Sequence, residues 1–153
     1  MSENYNNMEI EKTIAILEYD MTRNRVDLLE LFRNKNSVNL FLQILFWSKT
    51  RIFKPFYKFK QPCKHKWYKK GDSWTEALKI SREKFDNSLK RIGTKITKGI
   101  SKTKAFEKMK LNSLIIYWTD KNRVTYYQLN EKMVLEIMDK LIKCPADKYK
   151  KAL

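Results

Sequence analysis

The residue pattern predicts a helix-rich α+β fold in which two short helices, joined by a tight turn, lead into a β-hairpin. Three observations carry this. Glycine and proline are scarce, three of each in 153 residues, which fits helices with few tight turns. Ser81 opens the stretch Arg82–Ile92, where Phe85, Leu89 and Ile92 fall at i, i+4 and i+7 and so share one inward face. The β-branched and aromatic runs Leu114–Thr119 and Val124–Leu129 flank Asp120-Lys121-Asn122-Arg123, whose turn formers read as a hairpin tip.

The elements follow in order. Ile10, Ile14, Leu17 and Met21 recur at helical spacing, and Val26, Leu29 and Phe32 continue the pattern after the polar break Thr22-Arg23-Asn24. Asn36 or Ser37 can cap the next helix, whose body Val38–Ser48 is apolar on nearly every face and belongs at the centre of a domain. Pro55 and Pro62 argue against helix in the basic and aromatic stretch Lys49–Lys70. Asp72 or Ser73 caps a short helix, Trp74–Lys79; Ser81 caps Arg82–Ile92, and Gly93 stands where a C′ glycine would end it. Thr94–Thr97 can form a short strand. The basic segment Lys98–Lys110 has too few apolar residues to bury deeply, and after the hairpin a last helix, Glu131–Lys143, is expected to stop near Pro145. The tail ending Lys148-Tyr149-Lys150-Lys151 is expected to fray.

Central helix, extended segment, helix-turn-helix, hairpin is the winged helix-turn-helix order. The expected division is an acidic helical N-terminal arm (1–36), a winged-helix domain (37–143) that includes the C-terminal helix, and a basic tail (144–153).

The formal charge of +16 points to a polyanionic partner, chiefly nucleic acid. It is segregated. Residues 49–70 carry nine Lys/Arg and no acid, whereas residues 1–36 carry seven acids against five bases. Residues 79–110 carry eleven bases and three acids. On the outward face of 82–92, Ser81, Arg82, Lys84, Asn87, Lys90, Arg91, Thr94 and Lys95 suit base edges and phosphates, with Asn able to read adenine and Arg guanine. Lys121 and Arg123 sit at the hairpin tip as candidate backbone contacts, joined by Lys54, Lys58, Lys60, Lys66, Lys98, Lys102 and Lys104. The aromatic residues between 53 and 68 have two readings: stacking on unpaired bases, or pinning a loop to the core while its lysines stay solvated.

Asn39-Leu40-Phe41-Leu42-Gln43-Ile44-Leu45-Phe46-Trp47-Ser48, then Lys66-Trp67-Tyr68-Lys69 and Trp74-Thr75-Glu76, resemble the winged-helix domains of bacteriophage, plasmid and mobile-element proteins, often replication-associated. Ser81-Arg82-Glu83-Lys84-Phe85-Asp86-Asn87-Ser88-Leu89-Lys90-Arg91-Ile92-Gly93-Thr94-Lys95-Ile96 is similar to their recognition helix, and Tyr117-Trp118-Thr119-Asp120-Lys121-Asn122-Arg123-Val124-Thr125-Tyr126-Tyr127-Gln128-Leu129-Asn130 to their wing. The resemblance spans 37–143. It implies a DNA-binding protein of replication or transcriptional regulation, with the second helix of the motif in a major groove and the hairpin on adjacent backbone.

Catalysis is not expected: the one histidine, His65, lies in a lysine-rich loop, and no phosphate-cradling glycine loop or nucleophile elbow occurs. No cofactor is implied. Cys63 and Cys144 lie far apart, and Cys63-Lys64-His65 lacks the further ligands of a zinc site, so no metal is expected. No apolar run approaches the roughly 20 residues a membrane span needs, and the acidic N-terminus lacks signal-peptide features, so a cytoplasmic place in a bacterial host or on its nucleoid is expected, with no membrane partner. The partner expected is double-stranded DNA. A homodimer through the arm, or a host protein whose nucleic-acid channel the basic surface would occupy, are the other partners the sequence allows.

Overall fold

In a computed structural model, which describes residue 11 and residues 13–99 and 101–152, with side chains through 142, the chain is α+β. A first helix, α1 (13–18), leads through a 3-10 turn, Met21–Asn24, into α2, Arg25–Phe32. Then come α3, Lys35–Thr50; β1, Phe56–Tyr57; α4, Trp74–Leu78; α5, Arg82–Ile92; and β2, Gly93–Lys95. The chain closes with α6, Lys102–Glu107; β3, Ile115–Thr119; β4, Thr125–Leu129; and α7, Glu131–Ala152. The sheet has the order β1-β4-β3-β2. β3 and β4 form the hairpin, β1 adds antiparallel to β4, and β2 adds parallel to β3.

α3 is the centre, as its sequence predicts, with Leu40, Phe41 and Ile44 fully buried. Its start differs from expectation. Asn34, two residues upstream, accepts the Ser37 N–H at 2.9 Å, which frees the Ser37 hydroxyl to donate to the Ser88 carbonyl at 3.0 Å. Two buried serines thus let α3 and α5 approach closely. Its burial is also incomplete, since Phe46 is exposed.

From residue 13 on, the arm packs into the rest of the chain. Ile16, Met21, Leu28 and Phe32 join the same core as α3, α5 and the sheet. The Thr13 hydroxyl donates to Glu131 of α7 at 2.9 Å, Lys49 Nζ donates to the Tyr19 carbonyl at 2.8 Å, and Phe32 meets Phe41 edge to face at 5.5 Å. The expected stripe is corrected: Ile14, Val26 and Leu29 are exposed and Ile16 and Leu28 are buried instead. The 3-10 turn at Met21–Asn24 breaks the 3.6-residue period, so the phase read across it does not hold. Ile10 and the acids ahead of it lie outside the described residues.

Four further expectations change. Gly93 is not a left-handed cap. Its backbone is extended, and a Cβ there would lie 3.0 Å from both Leu89 Cδ1 and the Leu89 carbonyl and 3.1 Å from the Tyr117 ring, so close approach is what requires glycine. The strand expected at Thr94–Thr97 is Gly93–Lys95, continuous with α5. Within Lys98–Lys110, Ser101 caps α6, which packs on β3 and has Ala105 fully buried. The last helix does not stop near Pro145 but continues to Ala152. Side chains of the tail, Cys144 included, lie outside the described residues.

Trp74, at the start of α4, is the aromatic hub. It stacks on Phe85 of α5 at 5.9 Å and meets Tyr127 of β4 at 5.5 Å and Phe56 of β1 at 6.4 Å. Burial pushes the Tyr127 phenol far above its ordinary range, with Tyr117 and Asp86 adding to the effect. The folded value is raised above the unfolded one, so this contribution to stability is complete below about pH 10 and is lost as pH climbs through the folded value. Urea unfolding followed between pH 8 and 12 should show the loss, and Tyr127→Phe should flatten it. An unchanged alkaline limb in the variant would contradict the burial of this phenol.

Candidate nucleic-acid interface

α4 and α5 are joined by Lys79-Ile80-Ser81. Ser73 caps α4 by accepting the Glu76 N–H, and Lys79 ends it in the left-handed conformation at φ 55°. The Ser81 hydroxyl accepts the Lys84 N–H at 3.2 Å and starts α5. Phe85, Leu89 and Ile92 are buried as predicted, with Ser88 beside them. The opposite face presents Glu83, Asn87, Lys90 and Arg91, all exposed, with Arg82 and Lys84 on its flanks. Glu83 has no ion-pair partner among the described residues. In a major groove its carboxylate could accept from cytosine N4, whereas on a phosphate it would repel.

Asp86 is engaged. Lys60 reaches it at 2.8 Å and Arg82 at 4.0 Å, so a residue of the 49–70 stretch is pinned to α5. Sequence spacing could not reveal this pair. An open cleft of about 320 Å³ runs between α5 and the hairpin, lined by Lys60, Asp86, Lys90, Lys95, Thr119 and Tyr117 among others. It sets three lysines against one carboxylate that is already paired.

The hairpin tip is tied by its own hydrogen bonds. Asp120 accepts the N–H groups of Asn122 at 2.9 Å and Val124 at 3.1 Å, and Arg123 takes the left-handed conformation at φ 62°. Short Asx-type bonds of this kind hold a tip that has no glycine. Lys121 and Arg123 are exposed there.

The remaining candidates divide. Lys54, Lys66, Lys95, Lys98, Lys102 and Lys104 are exposed. Thr94 is half-buried and its hydroxyl donates to the Asn112 carbonyl, which leaves it little to offer a base. Lys58 is withdrawn from the surface: its ammonium bonds Asp72 at 2.9 Å and lies over Trp74 at 5.1 Å and Trp47 at 5.6 Å. Its alternation with aromatics suggested a solvated head, but the Asp72 carboxylate and two ring faces give the cation a better place inside.

His65 uses both ring nitrogens structurally. Nδ1 accepts the Trp67 N–H at 3.0 Å and Nε2 lies 3.0 Å from the Asn122 carbonyl at the hairpin tip. Among the described residues no three His, Cys, Asp or Glu side chains gather where they could hold a metal ion, and Cys63 is a free, exposed thiol. Among the described residues no helix is long and apolar enough to cross a membrane.

No family model, no curated protein and no solved structure matches this chain. What its surface does is therefore read from its own residues.

Proposed function

We propose that the chain is a winged helix-turn-helix DNA-binding protein of phage or mobile-element type, working in replication or transcriptional regulation without catalysis. α5 is the helix that enters the major groove of duplex DNA, and the hairpin is the wing on the neighbouring backbone. The supporting observation is the shared cleft: α5 and the hairpin flank one groove, with Lys60, Lys90 and Lys95 in it, Asn87 and Arg91 on the exposed helix face and Lys121 and Arg123 at the exposed tip. The chain order, with the β3-β4 hairpin following the α4-α5 pair, supports the reading. The cytoplasm of a bacterial host, or its nucleoid, is the compartment this reading implies.

Selection of bound sequences from random duplex DNA tests it. Asn87→Ala or Arg91→Ala should then cost about 1–3 kcal/mol at preferred sites and relax the preference. Lys84→Ala should weaken all sequences alike. Because all three side chains are exposed, each change should move stability by about half a kcal/mol or less. A folded Lys84/Asn87/Arg91 triple alanine variant that binds DNA as before would remove α5 as the reader. Failure of the wild-type protein to bind naked duplex at all would favour a protein partner on the same basic surface.

A further inference from the structure

We propose that the outer face of the sheet, together with the loop folded onto it, is a second nucleic-acid site that stacks the unpaired bases of a single strand. It is distinct from α5 and stands independently of the duplex reading.

Strand alternation separates two sets of rings. Tyr117 and Tyr127 point to the helices, whereas Trp118, Tyr126 and Tyr57 share the opposite face of β3, β4 and β1. Those outer rings form a continuous row. Trp118 stacks on Tyr126 at 6.0 Å, Tyr126 meets Tyr57 at 6.0 Å, and Tyr57 meets Trp67 of the loop at 5.8 Å. Trp67 meets His65 at 5.3 Å, and His65 reaches the hairpin tip. The row is partly open: Tyr57 is 45% and Trp67 38% exposed, while Trp118 and Tyr126 are half-buried and Ile116 on the same face is covered. Exposed ring faces of this kind offer a stacking surface.

Charge says which occupant. Lys66 Nζ lies 5.7 Å above the Trp67 ring and Lys102 Nζ 4.0 Å above Trp118, so cations stand beside the rings. Lys64, Lys69 and Lys70 are exposed in the same loop, and an open groove of about 510 Å³ joins Lys64 and His65 to Arg123. Nearby acids are occupied: Asp72 by Lys58, Glu76 by Tyr68 and Ser73, and Asp120 by its own turn. Ring faces interleaved with exposed lysines match bases alternating with phosphates. A duplex could not use them, because its bases face one another.

The test is titration of the whole protein with an oligothymidylate of about 12 nucleotides, within the usual site size of such surfaces, following tryptophan fluorescence. Of the four tryptophans Trp74 is fully buried and Trp47 is half-buried against the core, so the Trp67 and Trp118 variants assign the quenching to the outer rings. Saturable quenching is expected. Trp67→Ala and Trp118→Ala should each weaken binding about 5- to 150-fold, the range that one stacked base supplies, while Trp67→Phe keeps most of it. The α5 triple alanine variant should bind the oligonucleotide unchanged, so this site and the duplex site can fail separately. Absence of quenching in the wild-type protein overturns the proposal whether or not any variant folds. So does quenching that survives both alanine changes, or sedimentation of the free protein as a dimer with Trp67 shielded from a neutral quencher.

Discussion

Trp74→Ala is expected to lower the free energy of unfolding by about 3–5 kcal/mol, the range for removing a large buried aromatic. Against a total of about 5–15 kcal/mol for a domain, that leaves little margin at physiological temperature. The size follows from position. Trp74 is fully buried, and its rings bridge four parts of the fold: Phe56 in β1, Phe85 in α5, Tyr127 in β4 and the inward-turned Lys58. Truncation opens a cavity beneath the proposed reading helix and strips the Lys58 ammonium of one of its ring faces. Trp74→Phe should cost much less, because the ring contacts largely survive. Chemical denaturation of both variants, read by circular dichroism, checks this. A cost below about 1 kcal/mol for the alanine variant would mean that the hub can collapse around the gap.

Duplex affinity is expected to fall about 10³-fold between 50 and 200 mM monovalent salt. Neutralising roughly six phosphates gives a logarithmic slope of about −5.4, and a fourfold rise in salt then lowers affinity by a little over three decades. Exposed Lys84, Lys90, Lys95, Lys121 and Arg123 supply most of those contacts, with Lys98 and Lys104 available nearby. Lys58 is not among them because Asp72 holds it, and Lys60 counts only if it leaves Asp86. Replacing Lys121 and Arg123 with alanine should reduce the slope by about two. Filter binding or anisotropy across the salt range measures it. A nearly flat dependence would be incompatible with phosphate contacts of this number.

Much of this arrangement was legible in the residues. The Ser81 cap, the bounds of α5, its buried Phe85, Leu89 and Ile92, and the hairpin all follow from local chemistry that needs no tertiary information. What was not legible depends on distant partners. Nothing near Lys58 in sequence announces that Asp72, Trp47 and Trp74 will enclose it, and only the Lys60–Asp86 pair shows that the aromatic loop is tied to α5. Gly93 illustrates the same limit: a glycine after a helix suggests a left-handed cap, but here the approach of Tyr117, 24 residues away, decides it. The row of outer rings was half visible. The loop's aromatics stood out, but only the pairing of β1 with β4 and of β4 with β3 lines up Tyr57, Tyr126 and Trp118.

The sheet ends on two very short strands, β1 with two residues and β2 with three. An unpaired rim normally templates further strands, and long exposed rims are where proteins polymerise. Here an incoming strand would find two or three rungs before the ladder ran out. Beyond β1 the Phe59 and Lys60 carbonyls are taken by the N–H groups of Trp74 and Thr75, and beyond β2 the chain leaves towards Ser101 and the cap of α6. The protein can thus keep an aromatic sheet face open to water without also offering neighbouring copies a backbone seam along which to grow.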